Sequence, residues 1–272
     1  MATAVLHLLT LCLLLKFSDA ANFGIDVSTL TSNTSFACLV SNNYTFVAVR
    51  IWRSSGVVDT NCPSTVSNAW TAGMKNVDVY FYPCVSCGNV AVQVQNAAEY
   101  LTNHSVVYTK FWLDVEGTWS TNTTSNQEFF SQMLTASVNQ GLNVGVYTSK
   151  YQWTTIMGSS YTGGSAYPLW YPHYDNSSSF SDFVAFGGWT SPIIKQYLGT
   201  TSICGASVDF NYATDYPLPS ASPSPSHSPS HVPSASVKPP SPSSSPGHDS
   251  SAFRSSISVV SLFMFLALLV LC

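Results

Sequence analysis

Residues 111–117, which read FWLDVEG, decide the fold. Asp114 and Glu116 end an aromatic and β-branched run in a chain with only 8% charged residues. A short apolar run of this kind is typical of a strand buried on both faces. Side chains two positions apart on a strand point the same way, about 7 Å apart along the backbone. The two acids are therefore predicted to point together from the carboxyl end of a buried strand.

Outward from this strand, short apolar strands alternate with amphipathic helices. The predicted strands lie at residues 23–27, 46–52, 77–82, 108–115 and 144–148, and then at 168–173, 193–197 and 207–211. The predicted helices lie at residues 34–41, 66–74, 90–103, 126–140 and 151–157. This alternation favours a parallel sheet, either doubly wound or closed. Eight strands favour closure, so we predict an α/β fold: a single-domain, TIM-like (β/α)5(β)3 barrel.

The two ends of the chain differ from this domain. Residues 1–20 have the short apolar core and small final residues of a secretory signal peptide, with a membrane anchor as the alternative. Residues 217–249 predict a disordered stalk, because ten prolines lie between positions 217 and 246. Residues 250–272 are short for a membrane span and favour a glycosylphosphatidylinositol attachment signal at Ser250 over a membrane tail. The barrel domain is thus predicted at 21–216.

A secretory route makes the cysteines and the glycosylation sequons informative. Two disulfides and one free thiol are expected, with the pairing left open, from Cys38, Cys62, Cys84, Cys87 and Cys204. The Cys84 and Cys87 pair could also be half of a zinc site or a redox pair. Neither a second pair nor a His cluster completes a metal shell, so we expect no metal and no other cofactor. N-glycosylation is predicted at Asn33, Asn43, Asn103, Asn122 and Asn176.

The charge balance excludes some partners. Residues 21–216 hold 6 Lys and Arg against 11 Asp and Glu, with no basic run. This acidic balance argues against nucleic acid, and against an enzyme that positive charge steers to anionic cell walls. It is compatible with work in an acidic digestive or phagosomal compartment.

The predicted strand ends place polar and aromatic residues where such barrels carry their active sites. The acids there are Asp26, Asp114, Glu116 and Asp209, and their predicted neighbours are Tyr82, Tyr147, Trp170 and Gln196. Crowded carboxylates cannot all ionise freely, so at least one is expected to keep its proton near neutral pH. A protonated acid and a second carboxylate in an aromatic cleft are what glycoside hydrolysis requires.

Each of these residues also has an ordinary structural interpretation. An isolated Asp-x-Glu is more often a polar strand end, and Asp26 or Asp209 alone could be a capping or loop acid. Trp170 could simply fill the barrel. His173 is expected to be a packed or surface histidine rather than a base. The agreement of separately predicted strand ends favours the functional interpretation.

The ordered motifs resemble those of a known family. FGIDVS, FWLDVEG, VGVYTS, PLWYPHYD, IKQY and VDFNYA are similar to motifs of glycoside hydrolase family 25, the muramidases, across residues 22–212. YPCVSCG and FGGW are similar to the secreted nematode and amoeba members. The resemblance implies cleavage of the β-1,4 bond between N-acetylmuramic acid and N-acetylglucosamine in bacterial peptidoglycan.

The resemblance also implies residue roles. Glu116 matches the catalytic acid/base and Asp114 its partner carboxylate, while Asp26 and Asp209 match two further acids of the cleft. The matching substrate contacts are Tyr82, Tyr147, Trp170 and Gln196. We expect a monomer that acts outside the cell or at its surface, or in lysosomes or phagosomes, and that touches a membrane only through its C-terminal anchor.

Two other functions are compatible with parts of the sequence. A surface-anchored protein that binds glycan or peptidoglycan without cutting it would explain the stalk, but binding alone does not require four acids in one cleft. A chitin-cleaving barrel is disfavoured because the longer motif D-x-x-D-x-D-x-E is absent.

Overall fold

In the computed structural model, which describes residues 21–214 and 216, β1 (Asn22–Val27) pairs with a strand on each side and so closes a barrel. The following strands are β2 (Tyr44–Arg53), β3 (Val57–Val58), β4 (Asn76–Phe81), β5 (Phe111–Asp114), β6 (Val144–Tyr147), β7 (Leu169–Pro172), β8 (Ile194–Ile203) and β9 (Ala206–Ala213). Eight strands form the ring, and the two-residue β3 pairs only with β2 outside it. The predicted eight-stranded barrel is confirmed.

The direction of the last strand differs from the parallel sheet that the alternation predicts. Strands β1, β2 and β4 to β8 pair in parallel, whereas β9 runs antiparallel to both of its neighbours, β8 and β1. A two-residue turn at Cys204 and Gly205 joins β8 to β9, and both turn residues have positive φ, 55° and 72°. Such turns connect antiparallel strands directly, whereas a parallel connection needs a long crossover.

Five α-helices surround the first part of the barrel. They are α1 (Asn33–Ser41), α2 (Cys62–Thr71), α3 (Val90–Asn103), α4 (Thr123–Asn139) and α5 (Lys150–Met157). The bounds predicted for α3 agree at both ends. Helix α2 begins four residues before its predicted start, with Pro63 in its first turn, where the missing amide proton costs nothing.

The barrel interior is filled by aromatic side chains that need small neighbours. A Cβ at Gly24 would lie 2.3 Å from the Phe46 ring, and a Cβ at Gly145 would lie 2.4 Å from the Trp112 ring. Both glycines therefore admit a large ring from an adjacent strand. Apolar faces of the helices pack on the outside of the strands in a second, larger core.

The end of the barrel at the N-terminal ends of its parallel strands contains the fully buried Asp78. Its carboxylate accepts hydrogen bonds from the side chains of Asn76, Trp112 and Tyr216 and from the backbone amide of Lys110. This carboxylate is fully surrounded by donors and lies away from the strand ends that carry the predicted site.

The cysteines pair as two disulfides with one free thiol, as predicted. Cys38 in α1 bonds to Cys204 in the β8–β9 turn, and Cys84 bonds to Cys87. Cys62 is free and buried. Because the CxxC pair is bonded to itself, its two thiols are not held as zinc ligands.

Some of the residues predicted to be glycosylated, cleaved or anchored lie in the described part of the chain, and others lie outside it. The five sequon asparagines are all exposed, and Asn122 also caps α4 by accepting from the amides of Thr124 and Ser125 at 3.0 and 3.2 Å. The signal peptide, the stalk and the tail with Ser250 lie outside the described residues. Within residues 21–214 and 216, no helix has both the length and the apolar character needed to cross a bilayer. Glycosylation and anchoring stay predictions.

Candidate active site

The four predicted acids line one cavity of about 180 Å³ at the carboxyl ends of the parallel strands. Asp114 is the last residue of β5 and Glu116 follows it by two positions. Asp26 and Asp209 are direct cross-strand partners on β1 and β9. Asp209 lies inside its strand rather than at a carboxyl end, and it reaches the cavity because β9 is antiparallel. We call these four residues the acid cluster and this cavity the central cavity.

A tight backbone turn places Glu116. Beyond β5, the Val115 carbonyl accepts a hydrogen bond of 2.7 Å from the Thr148 hydroxyl. The chain then turns at Gly117, whose φ is +77° and where a Cβ would lie 2.6 Å from the Tyr82 hydroxyl. A side chain at position 117 would therefore be strained and would collide with Tyr82. The glycine of the Asp-x-Glu-Gly motif lets Tyr82 pack against the turn that carries Glu116.

Three residues predicted to bind substrate form hydrogen bonds that hold Asp26. Gln196 and Asn211 donate side-chain amide hydrogens to the same Asp26 oxygen at 2.7 and 2.8 Å. The Tyr147 hydroxyl donates to Gln196 at 2.8 Å, and the Trp170 indole donates to Asn211 at 2.8 Å. Sequence reasoning missed Asn211, although it lies two positions after Asp209 and so points to the same face of β9.

These three residues are nearly covered by the protein itself. The exposed fractions are 5% for Tyr147, 2% for Trp170 and 3% for Gln196. The Trp170 ring packs edge-on against Tyr147, Trp112 and Tyr80. All three line the central cavity, but each has only a small area that a substrate could touch. Their contact with substrate stays a prediction.

The acid cluster has no positively charged partner within residues 21–214 and 216. Among the described residues, none of its carboxylates forms a salt bridge. Arg50 is the one basic residue among those lining the central cavity, and it forms a salt bridge of 2.8 Å with Asp59 instead. Arg53 binds the other oxygen of Asp59 at 2.8 Å. The charge of Arg50 is thus already matched outside the cluster.

Burial raises the pKa of every acid in the cluster. Burial, with the negative charge of Asp209, raises the pKa of Asp26 from 3.8 to about 8, although the amides of Asn211 and Gln196 act to lower it. Burial, followed by the charges of Glu116 and Asp26, raises the pKa of Asp114 well above its ordinary value. The cluster therefore holds protons near neutral pH.

Glu116 and Asp209 follow the same electrostatic rule. Burial, and then the charge of Asp209, raises the pKa of Glu116. Burial also raises the pKa of Asp209, while a hydrogen bond from the Thr200 amide acts to lower it. An acid that keeps its proton near neutral pH can serve as a proton donor.

Two larger cavities meet the central cavity at Glu116, which lines all three. The first side cavity has about 980 Å³ and is lined by residues that include Tyr151, Tyr174 and Phe183. The second side cavity has about 640 Å³ and is lined by residues of the Cys84–Cys87 turn and by Trp119. Open space on two sides of one acid is the shape that an extended chain substrate requires. Sequence reasoning missed Tyr151, which begins a predicted helix, and Tyr174, which directly follows the strand predicted at residues 168–173 within the PLWYPHYD motif.

A second group of acids lies beside the first side cavity. The fully buried Lys195 contacts Asp175 at 2.8 Å and Asp182 at 2.7 Å, and His173 contacts Asp182 at 2.5 Å. We call these four residues the lysine cluster. His173, Asp175 and Asp182 also have the spacing of cation ligands. The Lys195 ammonium already binds both carboxylates, so the group forms an ion-pair network.

Lys195 reverses the electrostatics of these two acids. Burial acts to raise the pKa of Asp182, but hydrogen bonds from Lys195, His173 and Tyr171 outweigh it and lower that pKa to about 2. The pKa of Asp175 is lowered in the same way, with Lys195 as its main hydrogen-bond partner. These acids stay ionised at neutral pH and are poor proton donors.

The fold and the site together define a class of protein. An eight-stranded barrel with proton-holding carboxylates at its mouth, between two open cavities, is the arrangement of a glycoside hydrolase that works by acid catalysis.

Comparisons with known proteins identify the family. The family model described as lysozyme-like protein 1 matches residues 17–197. The probable GH family 25 lysozyme 2 of Dictyostelium discoideum is 44% identical over 201 residues, covering 73% of this chain and 93% of that protein. Lysozyme-like protein 5 of Caenorhabditis elegans is 36% identical over 208 residues, covering 75% and 97%. The chain belongs to the glycoside hydrolase family 25 lysozymes, as its motifs predict.

A solved structure supports the fold. The lysozyme of Streptomyces coelicolor superposes with a TM-score of 0.58 over 71% of this chain and 91% of that one, at 20% identity. At this identity, the likeness is evidence for the fold alone. It confirms the barrel architecture that the strand pairing shows.

Proposed function

We propose that this protein is a lysozyme that hydrolyses the β-1,4 bond between N-acetylmuramic acid and N-acetylglucosamine in bacterial peptidoglycan. The observation that carries the proposal is Glu116, a carboxyl with a raised pKa at the junction of three cavities. The family relatives that are named lysozymes support the same chemistry.

Glu116 acts as the proton donor. A glycan chain lies across the central cavity and extends into both side cavities, with its scissile oxygen at the Glu116 carboxyl. Glu116 transfers its proton to that oxygen as the bond to the anomeric carbon breaks, so the leaving sugar departs as a neutral alcohol. Burial, and then the charge of Asp209, raises the pKa of Glu116, so it holds its proton at a higher pH than a free glutamate does.

Asp114 orients the group that replaces the leaving sugar. One of its oxygens is buried and has no hydrogen-bond partner in the part of the chain that the structure describes. The acetamido N–H of the sugar suits this acceptor. Its carbonyl oxygen then bonds to the anomeric carbon as the glycosidic bond breaks. This bond closes a five-membered oxazolinium ring. Glu116 then takes a proton from a water molecule, whose oxygen bonds to the anomeric carbon as the bond from that carbon to the acetamido oxygen breaks. The product is a reducing sugar of retained configuration.

Asp26 and Asp209 contribute to the electrostatic environment of Glu116. The negative charge of Asp209 raises the pKa of Glu116, and it also raises the pKa of Asp26, its cross-strand partner. Tyr82 lines both the central cavity and the second side cavity, as Glu116 does. No step of this mechanism requires a metal or an organic cofactor.

The test is mass analysis of the fragments released when the purified protein is incubated with peptidoglycan. Wild type should release disaccharide-peptides that end in reducing N-acetylmuramic acid, and Glu116→Gln should not. Glu128→Gln changes an exposed glutamate on α4 and serves as the matched control. A folded wild type that binds peptidoglycan but releases nothing between acid and neutral pH would favour the non-catalytic binding protein instead.

The site of action follows from the covalent features. Two disulfides are typical of an oxidising compartment, so the protein enters the secretory route and works outside the cell or in a digestive compartment. We also propose attachment through Ser250. Phospholipase that cleaves glycosylphosphatidylinositol should release the protein from intact cells, and Ser250→Pro should remove the phospholipase-sensitive fraction.

A further inference from the structure

We propose that Tyr174, in the segment after β7, is a substrate-binding and positioning residue of this site. Its ring forms a wall for the sugar that enters the first side cavity, and its hydroxyl fixes the amide that holds Asp26 and Asp209. The proposal rests on the proposed function and extends it to a residue of the PLWYPHYD motif that is not among the predicted substrate contacts.

The ring of Tyr174 stands where two cavities join. Among the described residues, only Glu116 and Tyr174 line both the central cavity and the first side cavity. The exposed fraction of Tyr174 is 59%, against 5% for Tyr147 and 2% for Trp170. Aromatic rings supply large apolar contact areas at binding sites. Tyr174 therefore has the free ring surface at this junction that Tyr147 and Trp170 lack.

The hydroxyl of Tyr174 reaches the acid cluster through one amide. It donates to the Gln196 oxygen at 2.7 Å, and the Tyr147 hydroxyl donates to the same oxygen at 2.8 Å. The Gln196 nitrogen then donates to Asp26 at 2.7 Å and to Asp209 at 3.3 Å. Two hydroxyl donors on the oxygen hold the amide with its NH₂ group toward the acids.

The backbone on the C-terminal side of Tyr174 is fixed to β8. Asp175 forms its ion pair with the buried Lys195 at 2.8 Å, and the Asn176 amide donates to the Tyr197 carbonyl at 3.1 Å. The Tyr174 ring lies over Gly199, where a Cβ would come within 3.3 Å of it. These contacts set Tyr174 in place before any substrate arrives, which lowers the cost of ordering it on binding.

Two substitutions separate the two roles. Tyr174→Phe keeps the ring and removes the hydroxyl, whereas Tyr174→Ala removes both. Tyr100→Phe, in α3 and outside all three cavities, is the matched control for loss of a tyrosine hydroxyl. The substrate is a soluble, uncrosslinked oligosaccharide of alternating N-acetylglucosamine and N-acetylmuramic acid.

The two roles predict different kinetic constants. Tyr174→Phe should lower kcat about 2- to 10-fold with KM within two-fold, because a positioning hydrogen bond is lost but the ring contact remains. Tyr174→Ala should in addition raise KM about 3- to 10-fold, because an aromatic contact is lost. Tyr100→Phe should match wild type. Thermal unfolding within a few degrees of wild type would exclude misfolding as the cause.

A binding measurement separates this proposal from the proposed function. Calorimetric titration of the same oligosaccharide into Glu116→Gln should give a Kd that rises about 3- to 10-fold when Tyr174→Ala is added. If wild type proves inactive, this titration alone decides the role of the ring. Unchanged KM and Kd in Tyr174→Ala would overturn the binding role. Unchanged kcat in Tyr174→Phe, relative to an active wild type, would overturn the positioning role.

Discussion

The acid cluster and the lysine cluster both contain aspartates, but the pKa values of these aspartates are shifted in opposite directions. Both are built on the same mouth of the barrel, yet burial raises the pKa of Asp26 to about 8, while the pKa of Asp182 is lowered to about 2. The difference is Lys195, which contacts two carboxylates in one cluster and has no counterpart among the described residues of the other. In these two clusters, the acids that contact a buried positive charge have a lowered pKa, and the acids without such a contact have a raised one.

The Asp78 site shows that burial alone does not define the active site. Asp78 is fully buried and its pKa is also raised, with burial as the largest cause. Four donors from the protein surround it, among them the Tyr216 hydroxyl and the Trp112 indole. Asp114, in contrast, has one oxygen without a hydrogen-bond partner in the described part of the chain. An unfilled acceptor beside a cavity therefore separates the candidate site from a structural acid.

Removal of the Glu116 proton should have the largest effect in this comparison. Glu116→Gln keeps the shape of the side chain but cannot donate a proton to the glycosidic oxygen. We expect the rate of peptidoglycan hydrolysis to fall about 10²- to 10⁴-fold with thermal unfolding close to wild type. Near-normal turnover by the folded variant would remove Glu116 from the mechanism.

Removal of the positive charge from the lysine cluster should destabilise the fold. Lys195→Met leaves two carboxylates around an apolar chain, and we expect a loss of about 2–3 kcal/mol at pH 7, because these carboxylates are partly exposed and solvent screens them. Chemical denaturation measures the loss, with the exposed Lys75→Met as control.

The stability lost in Lys195→Met should depend on pH. The folded-state pKa of Asp182 is depressed, so its stabilising contribution is present above about pH 4 and is lost as pH falls toward 2. The difference between wild type and Lys195→Met should shrink over that interval. A difference that stays constant down to pH 2 would point to lost packing rather than lost charge.

Neutralisation of an acid in the acid cluster should stabilise the fold. The folded-state pKa of Asp26 is raised, so the folded protein binds the extra proton and loses stability as pH rises from about 4 to about 8. Asp26→Asn should be more stable than wild type by about 0.5–2 kcal/mol at pH 8, with less difference at pH 4. If Asp26→Asn and wild type were equally stable at both pH values, the folded-state pKa of Asp26 would not be raised.

The smallest expected effect is on the pH profile of catalysis. Asp209→Asn removes a negative charge that helps to raise the pKa of Glu116. Glu116 then loses its proton at a lower pH, so the high-pH limb of kcat should move down by about one unit or less. Glu99→Gln, an exposed change on α3, should leave the profile in place. An upward shift would contradict the proposed coupling.

Local patterns predicted most of the elements, and the exceptions have physical causes. The strand predicted at residues 108–115 starts only at Phe111, and the amide of the preceding Lys110 bonds to the Asp78 side chain instead of a neighbouring strand. Helix α2 begins four residues before its predicted start, although Asn61 and Pro63 are residue types typical of a helix start. The short β3 carries too few residues to show an alternation.

The sequence by itself determined the alternation of strands and helices, the disulfide count and the four acids. These depend on side-chain periodicity and on residue chemistry, which are local properties. Only the tertiary structure decided that β9 runs antiparallel, that Asp209 therefore faces Asp26, and that Tyr174 reaches the cluster through Gln196. Barrel closure joins Asp26 to residues more than a hundred positions away, and no local pattern encodes which of them meet.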